Sequence, residues 1–263
     1  MRIARLKSAD LHWQEDGDPG GLPVVFANSL GTDLRLWDKV IALLPQEGLR
    51  LIRFDKRGHG LSSCPPPPYT MQGLSDDTEQ LLNAIGVSSC VFVGLSIGGM
   101  IGQLLASQRP DLIRGLVLSN TAAKMGTPEM WQDRIDRIRQ DGIVSMADAI
   151  LERWFGADFR RSEECTAWRY MLTRTPVNGY NGCSAAIAAT DLTSTTAELR
   201  LPVLGIGGEQ DLASPPDQVR ATTSLVPGSR YAEIEDAGHL PCVERPDIYA
   251  AHLLTFLKED LHA

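Results

Sequence analysis

The residues with the clearest chemical potential are Gly94-Leu95-Ser96-Ile97-Gly98, a G-x-S-x-G element between the apolar run Cys90–Val93 and the apolar stretch Ile97–Ala106. This motif needs a buried strand before the serine and a helix after it, because it works through backbone strain. On so tight a turn the serine is pressed into a sparsely allowed conformation, and only small neighbours fit at Gly94 and Gly98. Its hydroxyl then stands clear of the sheet edge, over the positive end of the following helix. Ser96 is therefore read as a nucleophile. The competing interpretation is a Gly-Ser turn that only packs a helix against a strand.

A serine hydroxyl attacks poorly until a base takes its proton, so a histidine and an orienting carboxylate are required. His12 falls in an edge strand, His252 inside the final helix and His262 in the tail, which makes them structural or solvated. His59 sits in Asp55-Lys56-Arg57-Gly58-His59-Gly60-Leu61-Ser62 and is read as holding its loop by hydrogen bonding. His239 follows Gly238 just beyond the last strand and is the expected base. In this chain order the acid lies between serine and histidine. Asp211 follows the strand Val203–Ile206 through Gly207-Gly208-Glu209-Gln210, at the carboxyl edge where open α/β sheets bind ligands. Glu209 is its nearest rival, with Asp191 and Asp236 weaker. The developing oxyanion needs two backbone donors: Ile97 N–H, next after the nucleophile, and Leu30 N–H from Asn28-Ser29-Leu30-Gly31. Ser29 of that loop is placed among the substrate-contacting residues, and the bland alternative for the loop is a plain strand-to-helix turn.

The hydrophobic pattern describes the scaffold that must carry these groups. Residues 1–15 alternate as two edge strands joined at Ser8-Ala9-Asp10, and Pro23–Ala27 is an apolar run typical of a strand buried on both faces. Thr32 is expected to cap a helix with Leu36, Val40 and Leu43/Leu44 inward, ended by Pro45. Leu49–Phe54, the Val91 strand and Gly115–Leu118 alternate with helices over Thr70–Ile85 and Ile97–Ser107, which specifies a mostly parallel, doubly wound sheet. From Thr127 to about Thr190 only helical periods occur, over Thr127–Gly142, Met146–Phe155, Glu163–Thr173 and Tyr180–Ala189. The sheet resumes at Pro202–Ile206 and Arg230–Ile234, and Pro246–Lys258 closes the chain as a helix. The expected organisation is a core of residues 1–123 and 191–263 with an all-helical cap over 124–190 acting as a lid.

A length of 263 residues suits one α/β domain with such an insertion, and 43% hydrophobic with 22% charged residues is ordinary for a buried core. The net charge of −8, without a basic run, argues against nucleic acid and anionic membrane surfaces as partners. Cys64, Cys90, Cys165, Cys183 and Cys242 are scattered, with neither disulfide-framework nor zinc spacing, so reduced thiols and a cytoplasmic location are expected. Met1-Arg2-Ile3-Ala4-Arg5-Leu6-Lys7 carries charges where an export signal would be apolar, and Cys90–Ala106 is shorter than the ~20 residues of a membrane span. No metal-ligand motif and no G-x-G-x-x-G after a strand is present, so no metal, nucleotide or other cofactor is expected.

Together, Gly94-Leu95-Ser96-Ile97-Gly98-Gly99, Asp55-x-Arg57-Gly58-His59-Gly60-x-Ser62, Asp211 and Gly238-His239 resemble the α/β-hydrolase superfamily along the whole chain. More narrowly, Asn28-Ser29-Leu30-Gly31-Thr32-Asp33-x-x-x-Trp37 is similar to the oxyanion loop of the 3-oxoadipate enol-lactonases. Trp131-x-x-Arg134-Ile135-x-x-Ile138-Arg139-x-x-Gly142 and Thr175-Pro176-x-x-Gly179-Tyr180-x-Gly182-Cys183-x-Ala185-Ala186-Ile187 are similar to their cap, with Asn181 and Ser184 where Ala and Cys are commoner. The resemblance implies a Ser-His-Asp hydrolase that opens a carboxylate-bearing enol-lactone of the β-ketoadipate pathway of aromatic catabolism. Such a carboxylate needs a specific cation in a chain of this charge. Arg134 is the first candidate, with Arg137 and Arg153 as alternatives, and Trp131 is placed over the ring.

The same triad would serve a carboxylesterase or perhydrolase on acyclic esters, or a C–C bond hydrolase. A hydrolase-like ligand receptor is the alternative outside enzymes, and its slow turnover would distinguish it. Relatives of this fold that act on halides or epoxides use an aspartate at the elbow, which Ser96 disfavours.

Overall fold

The computed structural model describes residues 1–261; His262, expected in a solvated tail, lies outside the described residues. Eight strands form one sheet: β1 (Arg2–Arg5), β2 (Asp10–Gly17), β3 (Leu22–Ala27), β4 (Leu49–Phe54), β5 (Cys90–Leu95), β6 (Ile113–Ser119), β7 (Val203–Gly208) and β8 (Arg230–Ile234). Their spatial order is β1-β2-β4-β3-β5-β6-β7-β8, with the β1–β2 and β2–β4 pairs antiparallel and the other pairs parallel. The mostly parallel, doubly wound α/β architecture is thus present. The central strands β5 and β7 are buried along their whole length, which explains why they read as continuous apolar runs. Helices cover both faces, and the sheet order reverses around β3, so the carboxyl ends of β3 and β5 open onto a crevice between diverging connections.

Several helices obey their local signals. Thr70 caps Met71–Ala84 by accepting from Gly73 N–H (3.0 Å), and Thr127 caps Pro128–Asp141 by accepting from Met130 N–H (3.3 Å). The expected cap at Thr32 is not made. Asp33 accepts from Arg35 N–H (3.0 Å) at the start of a single 3-10 turn, Leu34–Trp37, which leads into the helix Asp38–Leu43. The Thr32 hydroxyl instead turns back to donate to Ser29 O (3.0 Å), because the chain is folding into a compact loop there.

Between β6 and β7 the chain is helical: Pro128–Asp141, Ala147–Trp154, Ala157–Arg160, Glu163–Thr173, Val177–Ala188 and Thr193–Ala197. The last of these packs back on the helix after Ser96, where Thr196 Oγ1–H donates to Gln103 Oε1 (2.6 Å). Pro216–Thr223 is a helix that the periodicity did not announce. Only Val219, Thr222 and Thr223 of it are buried, so it lacks the aliphatic stripe that normally marks a helix. Among the described residues, no helix is long and apolar enough to cross a membrane.

Candidate active site

Ser96 joins β5 to the helix Ile97–Gln108 with φ 58° and ψ −121°, a conformation costing about 1–3 kcal/mol for a residue with a side chain. The crowding around it dictates its neighbours. A Cβ on Gly94 would stand 2.3 Å from Gly98 O, and one on Gly98 would stand 2.3 Å from Ala27 O. Ser96 N–H donates to Ser119 O (2.9 Å), and Thr121 Oγ1–H donates to Ser96 O (2.6 Å), so β6 and its following loop hold the strained peptide from both sides.

His239 and Asp211 meet at the carboxyl edge: His239 Nδ1–H donates to Asp211 Oδ2 at 2.8 Å, both side chains buried. With Nδ1 facing a carboxylate, the lone pair of the ring lies on Nε2. Asp211 is fully engaged. Its Oδ1 accepts from Ala213 N–H (2.6 Å) and Ser214 N–H (2.9 Å), and its Oδ2 also accepts from Asn120 Nδ2 (2.8 Å). The rival carboxylates face elsewhere. Asp236 pairs with Arg245 (2.8 Å), Glu209 accepts from Asp236 N–H (3.0 Å), and Asp191 pairs with Lys124 (3.1 Å).

On its free side, His239 Nε2 lies 3.4 Å from Ser29 Oγ rather than in a hydrogen bond with Ser96. Ser–His contacts of this kind are commonly loose until an acyl group occupies the site. Ser29, Leu30, Ser96 and His239 all line one cavity of about 280 Å³. The N–H groups of Leu30, which lines it, and of Ile97, next in the chain after Ser96, make no hydrogen bond among the described residues.

The loop carrying Leu30 is braced from below. Asn28 Nδ2 donates to Phe54 O (2.8 Å), and its Oδ1 accepts from Trp37 Nε1–H (3.0 Å). Gly31 N–H donates to His59 Nε2 (3.0 Å), while His59 Nδ1 faces Arg57 O (3.2 Å). Burial, with the Lys56 cation nearby, holds His59 well below the usual imidazole range, so it stays neutral. His59 thus supports the Leu30 loop as well as its own. His12 is tied to Asp55 (2.8 Å), and His252 lies half-buried in the last helix.

The other wall of the cavity comes from the helical insertion. Trp131 is buried and donates Nε1–H to Met125 O (2.6 Å), while the Arg134 guanidinium lies over its ring at 4.8 Å. Arg153 joins Arg134 in lining the cavity, whereas Arg137 is exposed and lies outside it. Neither Arg134 nor Arg153 has a carboxylate partner among the described residues. Burial first, and then the Arg134 charge, pull Arg153 below its usual value. Tyr180, pushed up by burial, is drawn back by Arg134.

The insertion also grips the histidine loop. His239 N–H (2.8 Å) and Leu240 N–H (3.3 Å) both donate to Trp154 O. Glu244 accepts from Gly156 N–H (2.9 Å) with one oxygen and from Gly238 N–H (2.7 Å) with the other. Sequence reasoning missed Asn120, which holds Asp211, and Glu244, which ties the insertion to the histidine loop. The available signal for Asn120 was only its place at the carboxyl end of β6. Among the described residues, no group of three or more His, Cys, Asp or Glu is placed to hold a metal ion.

A family model described as the alpha/beta hydrolase fold matches residues 23–246. The 3-oxoadipate enol-lactonase 2 of Acinetobacter baylyi is 32% identical over 228 residues, 86% of this chain and 85% of that protein. The crystal structure of an enol-lactonase from Burkholderia xenovorans superposes with a TM-score of 0.94 at 37% identity, covering 98% of this chain and 100% of that one. A thermophilic esterase from Thermogutta terrifontis, with malate bound, gives a TM-score of 0.92 at 28% identity over 98% of this chain and 99% of its own.

Proposed function

The chain belongs to the α/β-hydrolase family, and on that premise we propose that it is a serine hydrolase opening a carboxylate-bearing enol-lactone, 3-oxoadipate enol-lactone in the breakdown of aromatic acids. The observation that carries this reading is the pair Arg134 and Arg153, two cations without carboxylate partners among the described residues, lining the same cavity as Ser96 and His239. Placing two half-buried guanidiniums side by side in one cavity wall is unfavourable unless an anion meets them. A lactone with one free carboxylate supplies that anion and, at the far end, an acyl carbon for Ser96. The enol-lactonase relatives support the same substrate class.

In this mechanism Ser96 Oγ attacks the lactone carbonyl as His239 Nε2 takes its proton. Asp211, held by Asn120 and two backbone N–H groups, keeps Nδ1 protonated and stabilises the imidazolium. Leu30 and Ile97 N–H groups receive the oxyanion, each such donor being worth about 3–4 kcal/mol. The ring opens as the C–O bond to the enol breaks. An enolate leaves far more readily than an alkoxide, so C–O cleavage does not wait for a proton. The enolate then takes up the proton held on His239 Nε2, which yields the ketone and returns His239 to its neutral form. Water, deprotonated by His239, then clears the acyl-enzyme. Residues 124–190 act as the cap that excludes water around the ring, with Trp131 as its apolar face.

The deciding experiment follows the loss of ultraviolet absorbance of the conjugated enol-lactone with purified protein. Rapid turnover that vanishes in Ser96→Ala supports the reading; no turnover of the lactone alongside brisk hydrolysis of neutral esters refutes it. A carboxylesterase acting on acidic acyclic esters is the second reading. The malate-bound Thermogutta esterase supports it, since it shares the fold and holds a dicarboxylate.

A further inference from the structure

Lys56 occupies the variable position of Asp55-x-Arg57-Gly58-His59-Gly60 and is buried. Its hydrogen-bond partners are backbone carbonyls: Nζ–H donates to Ser29 O at 2.5 Å and reaches Thr32 O at 3.5 Å. The Ser29 carbonyl and the Leu30 N–H belong to a single peptide group. In a trans peptide the two point in opposite directions, so a donor gripping the carbonyl from below aims the N–H away from itself. Leu30 and Ser96 line the cavity, and Lys56 does not.

Resting on the serine-hydrolase reading, we propose that Lys56 is a positioning residue of the oxyanion hole: its ammonium orients and polarises the Ser29–Leu30 peptide, making Leu30 N–H a stronger donor to the developing oxyanion. The physical basis is resonance. A cation on the carbonyl oxygen draws electron density from nitrogen, and hydrogen bonds in series strengthen one another by roughly 10–30% per bond. The loop does not need Lys56 merely to satisfy its carbonyl, because Ser29 O also accepts from Thr32 Oγ1–H (3.0 Å). A buried ammonium held only by carbonyls is an expensive way to fill that space.

Burial pushes the Lys56 ammonium down to about 8, with Cys183, Asp55 and Asp33 acting on it through space in the other direction. Of the titratable groups facing it, Cys183 is pushed up to about 12 and stays a thiol, His59 is held neutral, and Asp55 is tied to His12 and two backbone N–H groups. Lys56 is the group of this set that loses its charge in the mildly alkaline range.

The test measures kcat/KM for p-nitrophenyl acetate, and affinity for a trifluoromethyl ketone that forms a tetrahedral adduct on the serine, from about pH 6 to about pH 10. Wild type, Lys56→Met, Lys56→Arg and Ser96→Ala are compared. Lys56→Met is expected to lower kcat/KM at neutral pH by about 10- to 100-fold and to weaken the ketone by the same factor, with unfolding temperature unchanged or higher. The wild-type alkaline limb near pH 8 should be missing in Lys56→Met, and Lys56→Arg, which keeps its charge, should hold activity above it. Lys56→Met within about twofold of wild type, or with the limb intact, overturns the proposal. If Lys56→Met does not fold, a wild-type profile flat through pH 8 overturns it equally. Hydrolysis that survives Ser96→Ala removes the serine-hydrolase reading itself, and this proposal with it.

Discussion

Asn120 and His239 share one oxygen: each donates to Asp211 Oδ2 at 2.8 Å. Asn120 is held for this task in a left-handed backbone conformation (φ 45°), with its own Oδ1 accepting from Ser119 Oγ–H (3.1 Å). Asp211 is therefore oriented by three neutral donors before it meets the imidazole.

Removing that third donor should slow turnover without abolishing it. Asn120→Ala is expected to cost about tenfold in kcat, the weight of one hydrogen bond to a charged group. Asp211→Asn should cost on the order of 10⁴, and Glu209→Gln and Asp236→Asn less than about tenfold. Steady-state kinetics of the four variants gives the ranking, and a reversal would reassign the acid.

Ser96 separates strain from chemistry. Ser96→Ala and Ser96→Gly should both lose on the order of 10⁶ in turnover. Only the glycine relieves the φ of 58°. Thermal unfolding should place Ser96→Gly about 2 °C or more above Ser96→Ala, since relief of about 1–3 kcal/mol outweighs the glycine's extra chain entropy. Equal midpoints would mean that the elbow stores no strain.

The two arginines predict selectivity. Arg134→Ala or Arg153→Ala should raise KM for the acidic lactone by about 10- to 100-fold and hardly alter hydrolysis of a small neutral ester. Arg137→Ala, on the exposed side, should change neither. Equal losses on both substrates would favour the general esterase.

Glu244 carries a pH signature. Burial raises its carboxyl from 4.5 to about 7, the two backbone donors only partly offsetting this. The folded state therefore binds the proton more tightly than the unfolded chain. Glu244's contribution to stability is complete below about pH 4.5 and is lost as pH rises through about 7. Unfolding temperature should drift downward across that window in wild type, and the drift should flatten in Glu244→Gln. An unchanged slope in the variant would locate the titration elsewhere.

The strand–elbow–helix, the order of Ser96, Asp211 and His239, and the parallel core were legible because each has a local signature: an apolar run, a glycine pattern, a loop at a strand end. Asn120 had none, as its role exists only where β6 ends beside β7. The cap at Asp33 rather than Thr32 turned on which short side chain the compact Ser29–Thr32 loop recruited for itself. Arg134 and Arg137 sit on one helix, and their separate fates depend on how that helix rolls onto the Val177–Ala188 helix carrying Tyr180, which spacing alone does not decide. Arg153 enters through the packing of a second helix.

The Trp154 carbonyl, taking both His239 and Leu240 N–H groups, has a consequence for engineering. His239, the base of the proposed mechanism, hangs from the very segment that lines the cavity beside Ser96. Helices exchanged with a relative to graft a new specificity would leave His239 without its suspension unless Trp154 to Gly156 and the Gly238–Glu244 loop travelled together. In this protein, recognition and reactivity are not separable modules.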